Sequence, residues 1–407
     1  MKKLFSFLLA AVLLVTMCAG CGEGQTDGAD SQEAEAPSGI FYDITGIAPG
    51  ETLMTVEGRE IPADVYFYWV SYLCSSLEYQ VGMYYTYYGM YSDYINPDDG
   101  AIHWDVEFMD GQTLGQYARS EAERTILFYT AIEMLAEENG VTLTDEDKAA
   151  MEENVASAVA DLGSEEEFEQ YLAKLGIDRD TFDQLSSSGY LFDGLTKLVL
   201  QEGSPLYLAP EDYDQYATYA DHILLATKDL TTGESLSEEE IAAKRQTAED
   251  LLAQLQASDD VGTLFAQLAD EYSEDTGRTS NPNGYIYTPG TMVTAFEDAA
   301  AALKPGEISG IVESDYGYHI ILRKDLTEAL AEDEAQKTAL AETHLSDLLS
   351  LMSQDFTVEY SEKLDGFDAG AFYTSYLSRL KELFPEEDAS AGDGGADTGS
   401  GDTSSAS

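Results

Sequence analysis

The sequence of 407 residues has few basic residues: 20 lysines and arginines stand against 78 aspartates and glutamates, and the formal net charge is −58. A surface this acidic repels nucleic acid and anionic lipid, and it attracts cations and basic polypeptides. We therefore expect no nucleic-acid partner. The charge leaves open whether the acidic surface recognises a partner or only keeps the protein soluble. No spacing of the acidic residues matches a calcium-binding loop.

Cysteine is also scarce, with three residues in the chain, and a long apolar run occurs only at the N-terminus. Residues 1–17, MKKLFSFLLAAVLLVTM, carry two lysines followed by that run. The run is too short for a confident transmembrane helix and is typical of a secretory signal peptide. We predict that residues 1–20 are such a signal.

The cysteines after this run, Cys18 and Cys21, allow two interpretations. A CxxC pair can be a redox or metal site, although a single pair directly after a signal sequence indicates this only weakly. The order Ala19-Gly20-Cys21 resembles instead the cleavage pattern of bacterial lipoproteins, with Cys18 where that pattern prefers leucine. Lipidation of Cys21 would anchor the protein to the extracytoplasmic face of the cell membrane, because two acyl chains give stable attachment. Cys74 would then have no partner for an intramolecular disulfide, so packing must stabilise the fold.

Segments near both ends of the chain contain almost no apolar residues. We predict a lipidated flexible tether over residues 21–40 and a disordered acidic tail over residues 385–407. The chain between them is long enough for two or three domains, and a hydrophobic content of 44% can furnish their cores.

Two regions are predicted to be mostly helical, residues 41–215 and residues 327–384. Apolar residues recur there at intervals of three and four, as in LGQYARSEAERTILFYTAIEMLAEENG. Thr144 is the predicted cap of the helix that follows. We expect residues 327–384 to pack on the N-terminal region, so that the segment between the two regions is an insertion.

Residues 65–94 of the first helical region are rich in tyrosine, as in MYYTYYGMY. One interpretation is core packing with the hydroxyl groups reaching water. The other is an adhesive surface for unfolded chains, since aromatic side chains supply contact area without requiring a particular sequence. The sequence leaves both open.

Residues 216–326 differ from their surroundings because short strand-like and helical segments alternate. This pattern predicts a compact α+β domain with a small antiparallel sheet and surrounding helices. His222 in ADHILLA and His319 in DYGYHIILRK each interrupt an apolar run. The similar settings predict two neighbouring central strands, each projecting one polar ring from apolar surroundings.

This segment resembles the parvulin-type peptidyl-prolyl isomerases in residue type and spacing. The resemblance covers ADHILL at 220–225, FAQLADEYSED at 265–275 and TPGTMVTAFEDAAAALKPGEISGIVESDYGYHII at 288–321. The flanking regions resemble, more weakly, those of the PrsA-like foldase lipoproteins, through VEGREI and the acid-rich helices. The resemblance implies a parvulin-like domain inserted in a mostly helical, chaperone-like body.

The resemblance also implies roles for individual residues. The catalytic positions fall on His222, Asp275 and His319, and two walls of a proline pocket fall on Met292 and Phe296. The two histidines would either form a hydrogen-bond network that fixes the shape of the site or tune the twisting amide electrostatically. Asp275 would either polarise the surroundings of the substrate carbonyl or cap a loop.

Two positions depart from the family pattern. At 283–287 the sequence reads NGYIY where many parvulins have glycines and a leucine, so the third pocket wall is left open, and we count Tyr285 with the substrate-binding residues. Tyr316 replaces the small hydroxyl residue of some relatives, which alters the hydrogen bonds available to His319. We count Tyr316 with the substrate-binding residues.

The implied reaction needs no cofactor and no metal, because rotation about the bond before proline forms no bond to the substrate. The implied partners are unfolded or partly folded secreted polypeptides and, through the lipid anchor, the membrane; a homodimer is left open. A holdase chaperone with an inactive parvulin domain is the alternative function. A solute-binding lipoprotein is disfavoured, because the long alternating strand and helix units of two α/β lobes are absent from the sequence.

The two other histidines lie outside the parvulin-like segment. We expect His103, in AIHWD, to be a surface or packing residue and His344, in a helical segment, to be solvated. Neither has neighbouring residues at metal-ligand spacing.

From the pocket assignment, Phe296→Ala is expected to reduce prolyl isomerisation strongly, because the variant loses one wall of the pocket, with modest loss of fold. The rate of cis to trans conversion in short proline peptides measures this. An unchanged rate in a folded variant would contradict the assignment.

Overall fold

The computed structural model describes residues 38–385, which form two compact units. Within the described residues, unit 1 comprises 38–191 and 352–385, and unit 2 comprises 192–351. Unit 2 is therefore inserted in the chain of unit 1, and it extends beyond the predicted domain 216–326 at both ends. The predicted signal peptide, Cys21, most of the tether and the acidic tail lie outside the described residues.

The helices and strands follow one another along both units. In chain order they are α1 Ile40–Thr45, β1 Thr52–Val56, β2 Arg59–Pro62, α2 Ala63–Tyr88, β3 Glu107–Met109, β4 Gln112–Thr113, α3 Leu114–Glu138, α4 Asp145–Leu162, α5 Glu165–Leu175, α6 Arg179–Leu200, β5 Thr218–Ala226, α7 Glu238–Gln256, α8 Val261–Tyr272, β6 Tyr285–Tyr287, α9 Thr294–Ala301, β7 Val312–Ser314, β8 Gly317–Arg323, α10 Leu326–Glu332, α11 Glu334–Gln354, β9 Val358–Tyr360 and α12 Ala369–Leu383. Among the described residues, no helix combines the length and the apolar character that a membrane crossing requires.

Threonine side chains begin helices α3 and α4 of unit 1. Thr113 and Thr144 start α3 and α4, and each hydroxyl accepts a hydrogen bond from the backbone N–H three residues later, at Gln116 and Asp147. The side chains of Gln116 and Asp147 accept in return from the backbone N–H groups of the two threonines, which completes a capping box. The cap predicted at Thr144 is confirmed.

Strand β1 is the centre of a three-stranded sheet of order β2–β1–β9. Glu57 and Gly58 connect β1 to β2 with φ angles of 49° and 80°, and two consecutive residues with positive φ suit the twist of a tight hairpin. Strand β9, from the chain after unit 2, pairs antiparallel with β1 and places Tyr360 opposite Met54. The returning chain thus completes a sheet that the N-terminal chain begins.

An aromatic core joins the returning helix α12 to helices α1 and α2. The rings of Phe67 and Phe372 stack with centroids 4.9 Å apart. Phe41 of α1 lies 5.8 Å from Phe67, 5.7 Å from Phe372 and 5.7 Å from Tyr376. Since large buried rings dominate the energetics of a core, α12 is an integral part of unit 1.

The tyrosine-rich helix α2 has a buried half and an exposed half. Tyr66 is fully buried, and Tyr68 and Tyr72 pack against the same core. Tyr79 and Tyr87, nearer the end of the helix, are exposed. Core packing accounts for the first half alone.

Unit 2 contains a four-stranded antiparallel sheet of order β6–β5–β8–β7. On one face Ile223 and Ile320 pack against Leu251 of α7 and Phe265 of α8. On the opposite face Ile321 and Ala220 pack against α9. The predicted α+β fold is confirmed: a small antiparallel sheet with surrounding helices is inserted in a mostly helical chain.

The start of β8 requires glycine, and this generates a prediction about stability. Gly317 has a φ of 145°, and a Cβ at this position would lie 2.2 Å from the carbonyl oxygen of Leu225. Gly317→Ala must therefore strain the backbone and displace β5, which we expect to cost about 2 kcal/mol of unfolding free energy. Gly310→Ala is the matched control, because its Cβ would meet no atom within 4 Å.

Urea unfolding, followed by far-ultraviolet circular dichroism, measures the loss of unfolding free energy in Gly317→Ala. Both tryptophans, Trp69 and Trp104, lie in unit 1, so their fluorescence transition serves as an internal reference that should not move. Equal circular-dichroism midpoints for the two glycine variants would contradict the close approach at Gly317.

Candidate active site

The register between β5 and β8 brings the two histidines of the middle domain together. His222 lies opposite Ile321, and His319 lies opposite Leu224. The histidines are thus diagonal neighbours on one face of the sheet. Their Nδ1 atoms are 3.4 Å apart, as the prediction of two neighbouring central strands requires.

The two rings belong to a chain of hydrogen bonds. Which atom donates in each bond is worked out from the end group that can only accept. The carboxylate of Asp275 can only accept, so His222 donates from Nε2 to Asp275 Oδ2 at 3.1 Å. In the form of His222 that carries a single proton, Nδ1 accepts, and His319 donates to it from its own Nδ1. His319 Nε2 is left to accept the hydroxyl proton of Ser314 at 2.7 Å. Every donor in this chain points towards Asp275.

Asp275 follows α8 and makes the contacts of its predicted capping role, together with two side-chain hydrogen bonds. Its Oδ1 accepts from the backbone N–H of Gly277 at 3.0 Å and so caps the short 3₁₀ turn Thr276–Thr279. Its Oδ2 accepts from His222 and from the hydroxyl of Tyr285. A Cβ at Gly277 would collide with the Tyr285 hydroxyl, so a side chain there would displace the tyrosine from its present position.

The protonation of these groups follows from burial and hydrogen bonding. Burial alone would raise the pKa of Asp275, but hydrogen bonds from His222, Tyr285 and the Gly277 N–H lower its pKa to about 2. Burial, together with the nearby His222, lowers the pKa of His319 to about 4. Burial and the bond to Asp275 raise the pKa of Tyr285, which keeps its hydroxyl a donor. At neutral pH Asp275 is therefore a carboxylate and His319 is uncharged.

A buried ion pair beneath this chain was not predicted from the sequence. Arg278 donates from Nη1 to Asp221 Oδ1 at 2.7 Å and from Nη2 to Asp270 at 2.8 Å. Asp221 also accepts from the backbone N–H of His222 at 2.7 Å. Burial raises the pKa of Asp221 in spite of the neighbouring guanidinium. The signal in the sequence was an arginine three residues after Asp275, in a chain with few basic residues.

Phe296, predicted to be a wall of a proline pocket, packs against both histidine rings. Its ring centroid lies 5.2 Å from that of His222, 5.7 Å from that of His319 and 5.9 Å from that of Tyr287. Only 2% of Phe296 is exposed. Truncating a buried phenylalanine costs about 3–5 kcal/mol, so the expectation of a modest loss of fold in Phe296→Ala is wrong.

Met292 lies at the edge of the same cluster and is half-buried. Glu297, one residue after Phe296, holds the turn that carries Met292. Its carboxylate accepts from the backbone N–H of Gly290 at 2.9 Å and of Met292 at 2.8 Å. Sequence reasoning missed Glu297, whose role depends on the turn folding back onto the first turn of α9.

Tyr316 does not join the site, which corrects the prediction that it contributes to substrate binding. It lies in the turn between β7 and β8 with 45% of its surface exposed, and Lys228 Nζ lies 4.2 Å from its ring centroid. Ser314 supplies a small hydroxyl group of the kind that some relatives carry at position 316. Ser314 is held by its pairing opposite Gly317 and accepts from the backbone N–H of Tyr316 at 3.1 Å.

The two other histidines lie away from these residues. His103 is exposed, in agreement with the prediction, and its Nδ1 contacts the carbonyl oxygen of Asp93 at 3.2 Å. His344 was expected to be solvated, but it is half-buried, and its Nδ1 lies 2.7 Å from the hydroxyl of Tyr216. Burial lowers the pKa of His344. The helix α11 turns this residue towards Tyr216, a direction that the sequence of one helix cannot show.

The buried, uncharged His319 generates a prediction about pH. Its pKa in the folded state, about 4, lies below the ordinary value of 6.5. Between these pH values the unfolded chain binds a proton at this residue and the folded chain does not. The stability from this residue is complete above pH 6.5 and is lost as the pH falls from 6.5 towards 4. In the natural chain His319 should lower the unfolding free energy by about 3 kcal/mol over this pH range. We expect His319→Gln to abolish that decrease.

The check compares urea midpoints near neutral pH and near pH 4.5 for the natural chain and for His319→Gln. His103→Gln, which changes an exposed histidine, is the control and should keep the full pH dependence. If acid destabilises His319→Gln as much as it destabilises His103→Gln, then His319 is protonated in the folded chain.

Residues 222–325 match the family model described as Rotamase, PPIC-type PPIASE domain. The chain is 37% identical over 129 residues to a foldase protein PrsA from Geobacillus sp. strain WCH70, covering 29% of this chain and 45% of that protein. It is 37% identical over 116 residues to a chaperone SurA from Chromohalobacter salexigens, covering 27% of this chain and 26% of that protein.

A crystal structure of the peptidylprolyl isomerase PrsA from Bacillus cereus aligns with 69% of this chain and 97% of that chain, at 21% identity and a TM-score of 0.30. The chain spans less than half the length of the two curated relatives described above. The family match begins at His222 and extends through Asp275, Phe296 and His319. The chain therefore carries a parvulin-type, PPIC-type PPIase domain over residues 222–325, and it is similar in sequence to the PrsA foldases.

Proposed function

We propose that this protein is an extracytoplasmic foldase that catalyses cis–trans isomerisation of X-Pro peptide bonds in secreted polypeptides. The observation that carries the proposal is the apolar wall of Phe296 and Met292 beside the hydrogen-bonded chain of Ser314, His319, His222 and Asp275. An apolar wall suits the ring of proline, and fixed polar groups beside it suit the amide that must twist.

The reaction requires little from such a site. Rotation about the amide must overcome about 18–20 kcal/mol of lost resonance, and each tenfold in rate requires about 1.4 kcal/mol of that barrier. A twisted amide is less dipolar than a planar one, so a water-poor site favours it. Phe296 is almost fully buried, and the rings of His222 and His319 lie against it.

We assign the two histidines to shaping the site. His319 is uncharged at neutral pH, and the ordered donors from Ser314 to Asp275 leave neither ring free to rotate. Proton transfer to the substrate is not part of the proposed mechanism. Met292, on the turn held by Glu297, closes on the proline ring from the side.

We further propose that the helical unit holds unfolded chains and that lipidation of Cys21 places the protein on the outer face of the membrane. The relatives named a foldase and a chaperone support the first part. The second part depends on the sequence of residues 1–21 alone. The alternative is a holdase whose PPIase domain binds chains without catalysis.

Met292→Ala in the full chain tests the catalytic proposal. Met292 is half-buried at the edge of the cluster, so its loss should weaken the grip on proline while leaving the fold intact. We expect kcat/KM for short X-Pro peptides to fall about tenfold, the equivalent of about 1.4 kcal/mol. Met109→Ala, which truncates an exposed methionine in unit 1, is the matched control.

Protease-coupled or NMR exchange assays on peptides that differ in the residue before proline give these rates. Equal rates for Met292→Ala and Met109→Ala would contradict the pocket. Absence of any acceleration by the natural chain, with aggregation of an unfolded protein still suppressed, would favour the holdase.

A further inference from the structure

The last turns of α2 and the residue after its cap carry a concentration of exposed apolar side chains. Twelve large apolar side chains are exposed in residues 38–385, and five of them fall in one short segment: Tyr79, Tyr84, Tyr87, Tyr88 and Met90. We name these five residues the tyrosine patch. A protein seldom leaves such a contiguous group in water unless something binds there.

These side chains spread around one half of the helix. Tyr79 and Tyr88, about two and a half turns apart, lie at the two edges of that half with Tyr87 between them, and Tyr84 and Tyr88 are one turn apart with ring centroids 5.7 Å from each other. Tyr84 also lies edge-on to Tyr91, again at 5.7 Å. The exposed fractions of Tyr79, Tyr87 and Tyr88 are 72%, 77% and 69%, so three rings present most of their surface to a ligand.

The surroundings of the tyrosine patch are acidic. Residues 60–118 contain aspartates and glutamates but neither lysine nor arginine. The segment after α2 is held beside the patch, because Tyr91 contacts Tyr94 at 5.7 Å and the Tyr94 hydroxyl donates to the carbonyl oxygen of Glu107. Asp93 and Glu107 on this segment are exposed.

The basic residues that follow this segment are already paired. Arg119 forms an ion pair with Glu123 at 2.8 Å, and Arg124 forms one with Glu121 at 2.8 Å. The acidic side chains of the segment therefore keep their attraction for an outside cation.

We propose that the tyrosine patch binds extended polypeptide segments that are rich in arginine and lysine. Aromatic faces attract cations, and the surrounding carboxylates add a field of the right sign. Arginine is favoured over lysine, because its guanidinium is planar, stacks on rings and is less strongly hydrated. A second copy of this chain is a poor occupant, since two strongly acidic surfaces would meet. The inference rests on the proposed chaperone function and names its substrate class.

The test uses the full chain and a charge-neutral triple variant, Tyr79→Gln, Tyr87→Gln and Tyr88→Gln. Glutamine is a good helix former, and circular dichroism checks that α2 persists. The probes are short fluorescent peptides of arginine alternating with glycine, and the same peptides with lysine, glutamine or glutamate in place of arginine. The control variant changes three exposed leucines elsewhere, Leu230, Leu351 and Leu383, to glutamine.

We expect the arginine peptide to bind most tightly, to bind less well at high salt, and to lose about tenfold in affinity in the triple variant alone. Equal affinity in the triple variant would overturn the proposal, because diffuse negative charge would then account for binding. Equal affinity for the glutamine peptide would overturn the selection of cations. A natural chain that is dimeric, with a monomeric triple variant, would make a second copy the occupant.

The outcome is independent of catalysis. Prolyl isomerisation of short uncharged peptides should be unchanged in the triple variant. Patch-dependent binding without any isomerisation would sink the catalytic proposal and leave this one standing. Normal isomerisation, together with peptide binding that does not depend on the tyrosine patch, would overturn this proposal and leave the catalytic one standing.

Discussion

The antiparallel register between β5 and β8 is the constraint on which the rest of the middle domain depends. Because side chains alternate across a sheet, a slip of one residue would send one histidine to the opposite face, among Ile223 and Ile320. The present register places His222 and His319 under Phe296 and the aliphatic residues against α7 and α8. Gly317 permits it, since any side chain at that position would collide with Leu225.

Once the strands are in register, the polar groups have one consistent arrangement. The carboxylate of Asp275 anchors it, and with a single proton on each histidine every further group donates towards that end as far as Ser314, whose hydroxyl accepts from the backbone of Tyr316. A buried polar chain with every member satisfied adds rigidity, whereas an incomplete one would cost several kcal/mol. The same apolar surroundings that keep His319 uncharged would favour a twisted amide beside it, because a twisted amide is less dipolar than a planar one.

The sequence was sufficient to predict the sheet and two neighbouring strands that each carry a histidine, because the repeated H-I-L and H-I-I settings indicate two similar strands. The sequence was insufficient to predict the contacts that depend on turns of the chain. Which of residues 314 to 316 turns back onto His319 depends on the hairpin, and a turn of Asp315 and Tyr316 leaves Ser314 inside. The buried pair of Arg278 and Asp221 depends likewise on the short turn after Asp275. Burial of Phe296 depends on contacts from three other elements.

The proposed functions of the two units are related through affinity. A site that contacts little more than one proline ring offers few contacts and must hold its substrate weakly. A second contact on the same polypeptide makes the next encounter intramolecular and raises its effective concentration without any new bond at the catalytic site. Contacts made by aromatic faces and by charge suit this role, because they tolerate many sequences. A foldase that must accept many clients therefore gains more from an adhesive, acidic and aromatic surface than from a tighter pocket, which would select among the residues before proline.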